Sequence, residues 1–179
     1  MRVLFLGDIV GRPGRRAVKE LLPPLIEKYD PHLIIANGEN AAGGRGITRK
    51  TADELFLSGI DILTMGNHVW DQREVYNFID GEDRMVRPAN YPPDTPGQGY
   101  VITCIDDNMK LGVINLSGRV YMSSLDCPFR LLDHLLPLIK KETNVIIIDF
   151  HAEATSEKMA LAWYVDGRAS AVLGTHTHI

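Results

Sequence analysis

The sequence predicts a layered α/β domain, with mixed β-sheets flanked by helices and a functional site at the carboxyl ends of its strands. Three observations carry that expectation. Short β-branched or leucine-rich runs alternate with stretches of helical period. One pair of strand-like runs is separated only by a short turn, which makes the sheet system mixed rather than all parallel. Several apolar runs end in Asp, Glu, Asn or His. The chain has 179 residues, 45% hydrophobic and 23% charged, enough for one substantial core and short for two. A single domain over 1–179 is therefore expected.

The elements follow in order. Residues 2–6 read as a strand that leads to Gly7 and Asp8. Residues 15–29 read as a helix, kinked or broken at Pro23-Pro24, where proline removes a helical hydrogen bond. A second strand, 33–36, runs into Asn37, Gly38, Glu39 and Asn40, and a helix is expected over 48–57. A third strand, 62–65, leads to Gly66, Asn67 and His68, before a helix over 73–79. The stretch 81–99 carries Pro88, Pro92, Pro93 and Pro96, has neither period, and reads as a long surface loop. Strands over 100–105 and 111–116 form an antiparallel pair around Asp106-Asp107-Asn108. A helix over 129–141, a strand over 145–150 ending at His151, a helix over 156–165 and a strand over 171–173 leading to His176 and His178 complete the chain.

Composition excludes some roles. The formal net charge is −4 and no Lys/Arg tract is clustered, so there is no footprint for duplex nucleic acid or an anionic membrane. A small phosphate ester stays compatible, because a metal can supply local positive charge. The amino terminus lacks a signal-peptide pattern and no apolar run approaches the ~20 residues of a membrane span, so a cytoplasmic protein is expected. Cys104 and Cys127 lack metal-type spacing and read as ordinary reduced thiols.

The strand ends hold the chemistry. A lone Asp or His there is ordinarily a cap or a satisfied buried group. Here Asp8, Glu39 with Asn40, Asn67 with His68, His151, and His176 with His178 each close a different apolar run. Carboxyl ends of strands in an open α/β sheet line one crevice, so these residues point to a shared site. Gly7, Gly38, Gly66 and Gly174 sit where tight strand-to-loop turns want no Cβ. Mixed carboxylate, amide and imidazole donors suit Mn²⁺ or Fe²⁺, with Zn²⁺ as a third option. They are too many for one tetrahedral ion and suit two ions sharing a carboxylate.

As an ordered set, Gly7-Asp8, Gly38-Glu39-Asn40, Gly66-Asn67-His68, His151 and Gly174-Thr175-His176-Thr177-His178 resemble the calcineurin-like metallophosphoesterase superfamily. The resemblance is closer to its bacterial YmdB-like branch, through Gly7-Asp8-Ile9-Val10-Gly11, Asn37-Gly38-Glu39-Asn40-Ala41 and Gly66-Asn67-His68-Val69-Trp70, and it covers essentially the whole chain. The superfamily's first-strand Asp-x-His is Asp8-Ile9-Val10 here, with Asn40 a candidate for the missing ligand. Members of the branch look longer, with further strands after His-x-His, so the chain ending at Ile179 is expected to lack its last strands, which would leave sheet edge exposed.

The resemblance implies a calcineurin-like sandwich and a dinuclear-metal phosphodiesterase acting on 2′,3′- or 3′,5′-cyclic nucleotides, with a metal-bridging hydroxide as nucleophile. It implies Asp8, Glu39, Asn40 and His178 on one ion, with Glu39 bridging to a second held by Asn67, His151 and His176. His68 is then left as the catalytic residue that protonates the leaving oxygen or holds a phosphoryl oxygen. Asp71 either orients His68 or caps the next helix. Arg45, in Gly43-Gly44-Arg45-Gly46, is a candidate substrate contact, weighed against a plain turn. Trp70, Tyr121 and Phe150 read as core aromatics before base-stacking ones, and His32 and His134 as structural or surface residues. The competing functions are a phosphomonoesterase and a regulatory or RNA-associated binding protein that retains the metal site. A homo-oligomer is the default assembly.

Overall fold

The computed structural model of the protein describes residues 1–106 and 108–177. The chain forms two compact units, Met1–Met85 and Val86–Ile179.

In the first unit β1 (Val3–Asp8), β2 (Leu33–Asn37) and β3 (Ile62–Thr64) are parallel neighbours. They belong to a four-stranded sheet of order β1-β2-β3-β4, whose last strand is β4 (Met85–Val86). Helices α1 (Gly11–Tyr29) and α2 (Arg49–Leu57) connect the parallel strands as βαβ crossovers. Every residue of β2 and β3 is buried, as expected for short, continuously apolar parallel strands. The two helices are tied by Arg15, whose Nε lies 2.7 Å from Glu54 Oε2. Thr48 starts α2 with a capping box: its Oγ1 accepts from the Thr51 amide, and its own amide donates to Thr51 Oγ1 at 2.9 Å.

The second unit holds a sheet of order β5-β6-β7-β8. Its strands are β5 (Tyr100–Asp106), β6 (Met109–Ser117), β7 (Ile146–Ala152) and β8 (Ala171–His176). β5 and β6 are antiparallel, whereas β6, β7 and β8 run parallel, so the sheet is mixed as expected. Asp107, in the expected turn between β5 and β6, lies outside the described residues. Helices α3 (Pro128–Ile139) and α4 (Thr155–Tyr164) connect the parallel strands. Leu132, Leu136 and Ile139 of α3 and Leu161 of α4 form one cluster with Ile114, Leu116, Ile148 and Phe150. Burying each large apolar side chain of this kind contributes about 1.5–3 kcal/mol.

Several elements differ from the sequence expectation. α1 starts at Gly11, four residues early, and runs unbroken through Pro23 and Pro24. Both prolines are exposed, as are Lys19 and Glu20, whose carbonyls lose their helical donors and can turn to water. Residues expected as a helix over 73–79 instead form two 3₁₀ turns, Arg73–Asn77 and Ile79–Gly81. Val75, Tyr76 and Phe78 are weak helix formers there. The proline-rich stretch is anchored rather than loose. Arg87, 6% exposed, donates to the carbonyls of Pro88, Thr95 and Pro96 at 2.9, 3.0 and 3.1 Å.

Candidate functional site

In the first unit the ends of β1, β2 and β3 are stitched together by backbone hydrogen bonds. Ile9 donates to the Asn37 carbonyl at 2.9 Å, and Gly38 to the Thr64 carbonyl at 2.9 Å. The Asn40 carbonyl receives the amides of Gly11 and Gly44, at 2.8 and 3.2 Å. Gly11 has φ +56°, a conformation that costs glycine little and other residues more. Asp8 closes β1 opposite Asn37, after a register irregularity spanning Leu6 and Asp8.

Glu39 is fully buried beyond β2. Its Oε2 accepts the His68 amide at 2.9 Å, and its Oε1 accepts from Asn40 Nδ2 at 3.1 Å. Its own amide donates to Asn37 Oδ1 at 3.1 Å, and Asn37 Nδ2 reaches the Met65 carbonyl at 3.3 Å. Asp8, Glu39, Asn40 and the Asn67-His68 backbone are thus held by neighbouring strand ends of one sheet. A fully buried carboxylate is costly unless it is hydrogen-bonded, paired or metal-bound, and these two donors meet part of that cost.

His68 Nδ1 lies 2.8 Å from Asp71 Oδ2, so Asp71 does contact the ring. Asp71 Oδ2 is also 3.8 Å from Nε of Arg45, whose side chain is 73% exposed. The Arg45 loop is set by Gly43, Gly44 and Gly46, all with positive φ, and by Gln72 Nε2, which donates to the Arg45 carbonyl at 3.0 Å. A Cβ on Gly46 would stand 2.9 Å from the Gln72 amide nitrogen, so this turn needs glycine.

In the second unit the imidazoles lie inside strands, not beyond them, because β7 and β8 run further than the apolar pattern suggested. The parallel ladder pairs Ser117 with His151, His151 with Thr175 and Ala152 with His176. His151 is fully buried. Its Nε2 lies 3.1 Å from His176 Nδ1, with the rings edge to face at 4.8 Å between centroids. His176, at φ 78°, ends β8. His178 lies outside the described residues.

The carboxylate and amide groups of the first unit, and the imidazoles of the second, are each donors of a kind that first-row divalent ions accept. A family model described as YmdB-like protein matches residues 4–179. This chain belongs to the YmdB-like family. The YmdB-like chain is 57% identical over 180 residues to a Bacillus subtilis (strain 168) protein named 2′,3′-cyclic-nucleotide 2′-phosphodiesterase, covering all of this chain and 67% of that protein. It is 37% identical over 187 residues to a Mycoplasma genitalium protein provisionally named a phosphatase/phosphodiesterase, covering all of this chain and 65% of that one. Among solved structures, a hypothetical protein from Thermus thermophilus matches with a TM-score of 0.91 and 50% identity, over 100% of this chain and 69% of that one. A Mycoplasma pneumoniae protein described as a novel phosphatase matches with a TM-score of 0.91 and 34% identity, over 99% of this chain and 64% of that one. The YmdB-like chain therefore spans about two thirds of the length of these relatives, and it is a phosphoester hydrolase with a mixed α/β fold of two sheets. No helix among the described residues is long and apolar enough to cross a membrane.

Sequence reasoning passed over Asn37, Asp149, Thr175 and Glu157. Asp149 lay in plain view as a charge inside the apolar run Ile146-Ile147-Ile148-Asp149-Phe150, since a buried acid needs a reason. Glu157 gave no such signal: it lies in a helix, yet both its oxygens take the Arg119 amide, at 3.0 and 3.1 Å, and Oε2 takes the Val120 amide at 3.2 Å. Among the aromatics, Phe150 is core and Trp70 stacks on Tyr76 at 4.8 Å. Tyr121, expected in the core, is 90% exposed at φ 62° on the loop after β6. His32 is structural as expected: its Nδ1 accepts the Arg2 amide at 3.1 Å.

Proposed function

We propose that this chain acts as a phosphodiesterase that opens 2′,3′-cyclic nucleotides with two divalent ions, Mn²⁺ or Fe²⁺ in preference to Zn²⁺, on a calcineurin-like scaffold. The observation that carries the reading is the buried Glu39 carboxylate, fixed by the His68 amide and the Asn40 side chain amid the other ligand candidates of β1 to β3. The name of the 57% identical relative supports the choice of a 2′,3′-cyclic diester over a 3′,5′-cyclic one or a monoester. By the family resemblance, Asp8, Glu39, Asn40 and His178 would hold one ion, and Glu39, Asn67, His151 and His176 the other. When bound, such ions supply a water acidic enough to deprotonate near neutrality and neutralise charge on the phosphoryl oxygens.

The chain's own groups do the rest. Glu39 cannot swing away, because both its oxygens are held. Asp71 accepts from Nδ1–H of His68, which leaves Nε2 as the nitrogen that exchanges a proton with the ester's leaving oxygen. Arg45 Nε lies 3.8 Å from the same Asp71 oxygen, on a glycine-rich turn from which it would meet a phosphate oxygen of the substrate.

The test is hydrolysis of 2′,3′-cyclic AMP and bis-p-nitrophenyl phosphate with Mn²⁺, comparing the chain with its Asp8→Ala and His68→Ala variants. Metal-dependent turnover that is lost in both variants is expected. Equal turnover of p-nitrophenyl phosphate would turn the reading to a monoesterase, and no turnover by folded, metal-loaded chain would overturn it.

A further inference from the structure

Two hydrogen-bond relays end on the imidazoles of β7 and β8, and together they decide which ring nitrogens carry the proton. Asp149 is fully buried and Thr175 is 1% exposed. Asp149 and His151 stand two residues apart on β7 and so share a face, with Thr175 opposite His151 in the ladder. Thr175 Oγ1 lies 2.8 Å from Asp149 Oδ1 and 2.9 Å from His151 Nδ1. An ionised carboxylate only accepts, and a threonine hydroxyl has one proton to give. That proton goes to Asp149, so the hydroxyl accepts from Nδ1–H of His151 and Nε2 keeps its lone pair.

His176 shows the mirrored arrangement. Its Nε2 lies 2.8 Å from Glu153 Oε2, so Nε2–H donates to that carboxylate and Nδ1 is the ring nitrogen left for another partner. The two nitrogens that these relays leave over are the ones 3.1 Å apart, His151 Nε2 and His176 Nδ1. Two imidazole nitrogens turned toward one another at that distance are donors that one cation could bind together.

We propose that Asp149, Thr175 and Glu153 are positioning residues that set His151 as the Nδ1–H tautomer and His176 as the Nε2–H tautomer, presenting Nε2 of the first and Nδ1 of the second to one divalent cation. The inference rests on the reading of both imidazoles as metal ligands and deepens it, by assigning the ligating atoms and the residues that select them.

Long-range ¹H–¹⁵N correlation spectra of the ¹⁵N-labelled chain, metal-free and with Zn²⁺ as a diamagnetic probe, read both tautomers directly. The expected result is Nδ1–H at His151 and Nε2–H at His176 before metal is added. Thr175→Val should lose the His151 preference and weaken Zn²⁺ binding about 10–100-fold by calorimetry, as loss of a partner behind a ligand commonly does. Thr175→Ser, which keeps the hydroxyl, should restore both. An Nε2–H tautomer at His151 in the wild-type chain overturns the proposal, as does wild-type affinity in folded Thr175→Val. Should Thr175→Val fail to fold, the wild-type spectra and Thr175→Ser still decide. A wild-type chain that binds no Zn²⁺ sinks the metal reading beneath it, whereas wrong tautomers with intact binding sink this inference alone.

Discussion

His68 and Asp71 form a contacting pair to which the proposed mechanism gives unequal roles. If the ring exchanges the proton and the carboxylate only holds the ring, His68→Ala should lower kcat roughly 10²–10⁴-fold, the usual range for a lost general acid. Asp71→Asn should cost less, and the double variant should be no slower than His68→Ala alone, because a group acting through the imidazole has nothing to hold once the imidazole is gone. Steady-state kinetics of the three variants checks this, and multiplying losses would show Asp71 acting by itself. Gly118 poses a steric question. A Cβ there would stand 2.6 Å from the Ala152 Cβ and 2.7 Å from Glu157 Oε2. Its amide already donates to the His151 carbonyl at 2.8 Å, so the backbone cannot step aside freely. Gly118→Ala should therefore destabilise the chain by about 1–3 kcal/mol, read as a lower midpoint in urea.

At the scale of elements, side-chain ties to backbone fix segments that no periodicity orders. Arg87 collects three carbonyls of the proline-rich stretch, and Arg87→Ala should leave the strands folded while sharply accelerating proteolytic cleavage between residues 91 and 98. Helices α3 and α4 are joined by Asp133, whose Oδ2 accepts the Tyr164 hydroxyl at 2.6 Å while Oδ1 accepts from Arg168 at 2.8 Å. The Tyr164 hydrogen bond first, and Arg168 second, hold the Asp133 carboxyl below its ordinary value. A carboxylate with a depressed folded pKa contributes stability that is present above its unfolded pKa and fades as pH falls through the folded one. An NMR titration of Asp133 should accordingly show a low pKa that moves up toward the ordinary value in Tyr164→Phe. Because the group is exposed, little change in overall stability should accompany it.

For the molecule as a whole, the proposed metal ligation would make metal binding and folding one equilibrium. An ion that binds only the native state adds stability by mass action, about 2.7 kcal/mol at 100 times its Kd. Chelation should lower Tm, Mn²⁺ should restore it, and Asp8→Ala should blunt the difference; a Tm indifferent to chelator would argue against a metal held by these ligands.

Much of this was legible in the chain. Apolar runs of the right length marked β1, β2, β3, β6 and β7, because parallel strands with little exposed surface tolerate few polar residues. The polar residues closing those runs marked Asp8, Glu39 and Asn67, since strand order carries them to one side of a sheet. Tertiary structure alone decided how far β7 and β8 extend, for hydrogen-bonded pairing with neighbours, not hydrophobic pattern, places His151 and His176 within strands. It alone kept α1 whole through two prolines, since that depends on which carbonyls face water. It alone joined Thr175 to Asp149 and His151, and Glu157 to the amides of Arg119 and Val120. A sequence names the groups that can donate and accept; which proton goes to which partner is fixed by distances of about 3 Å between residues far apart along the chain.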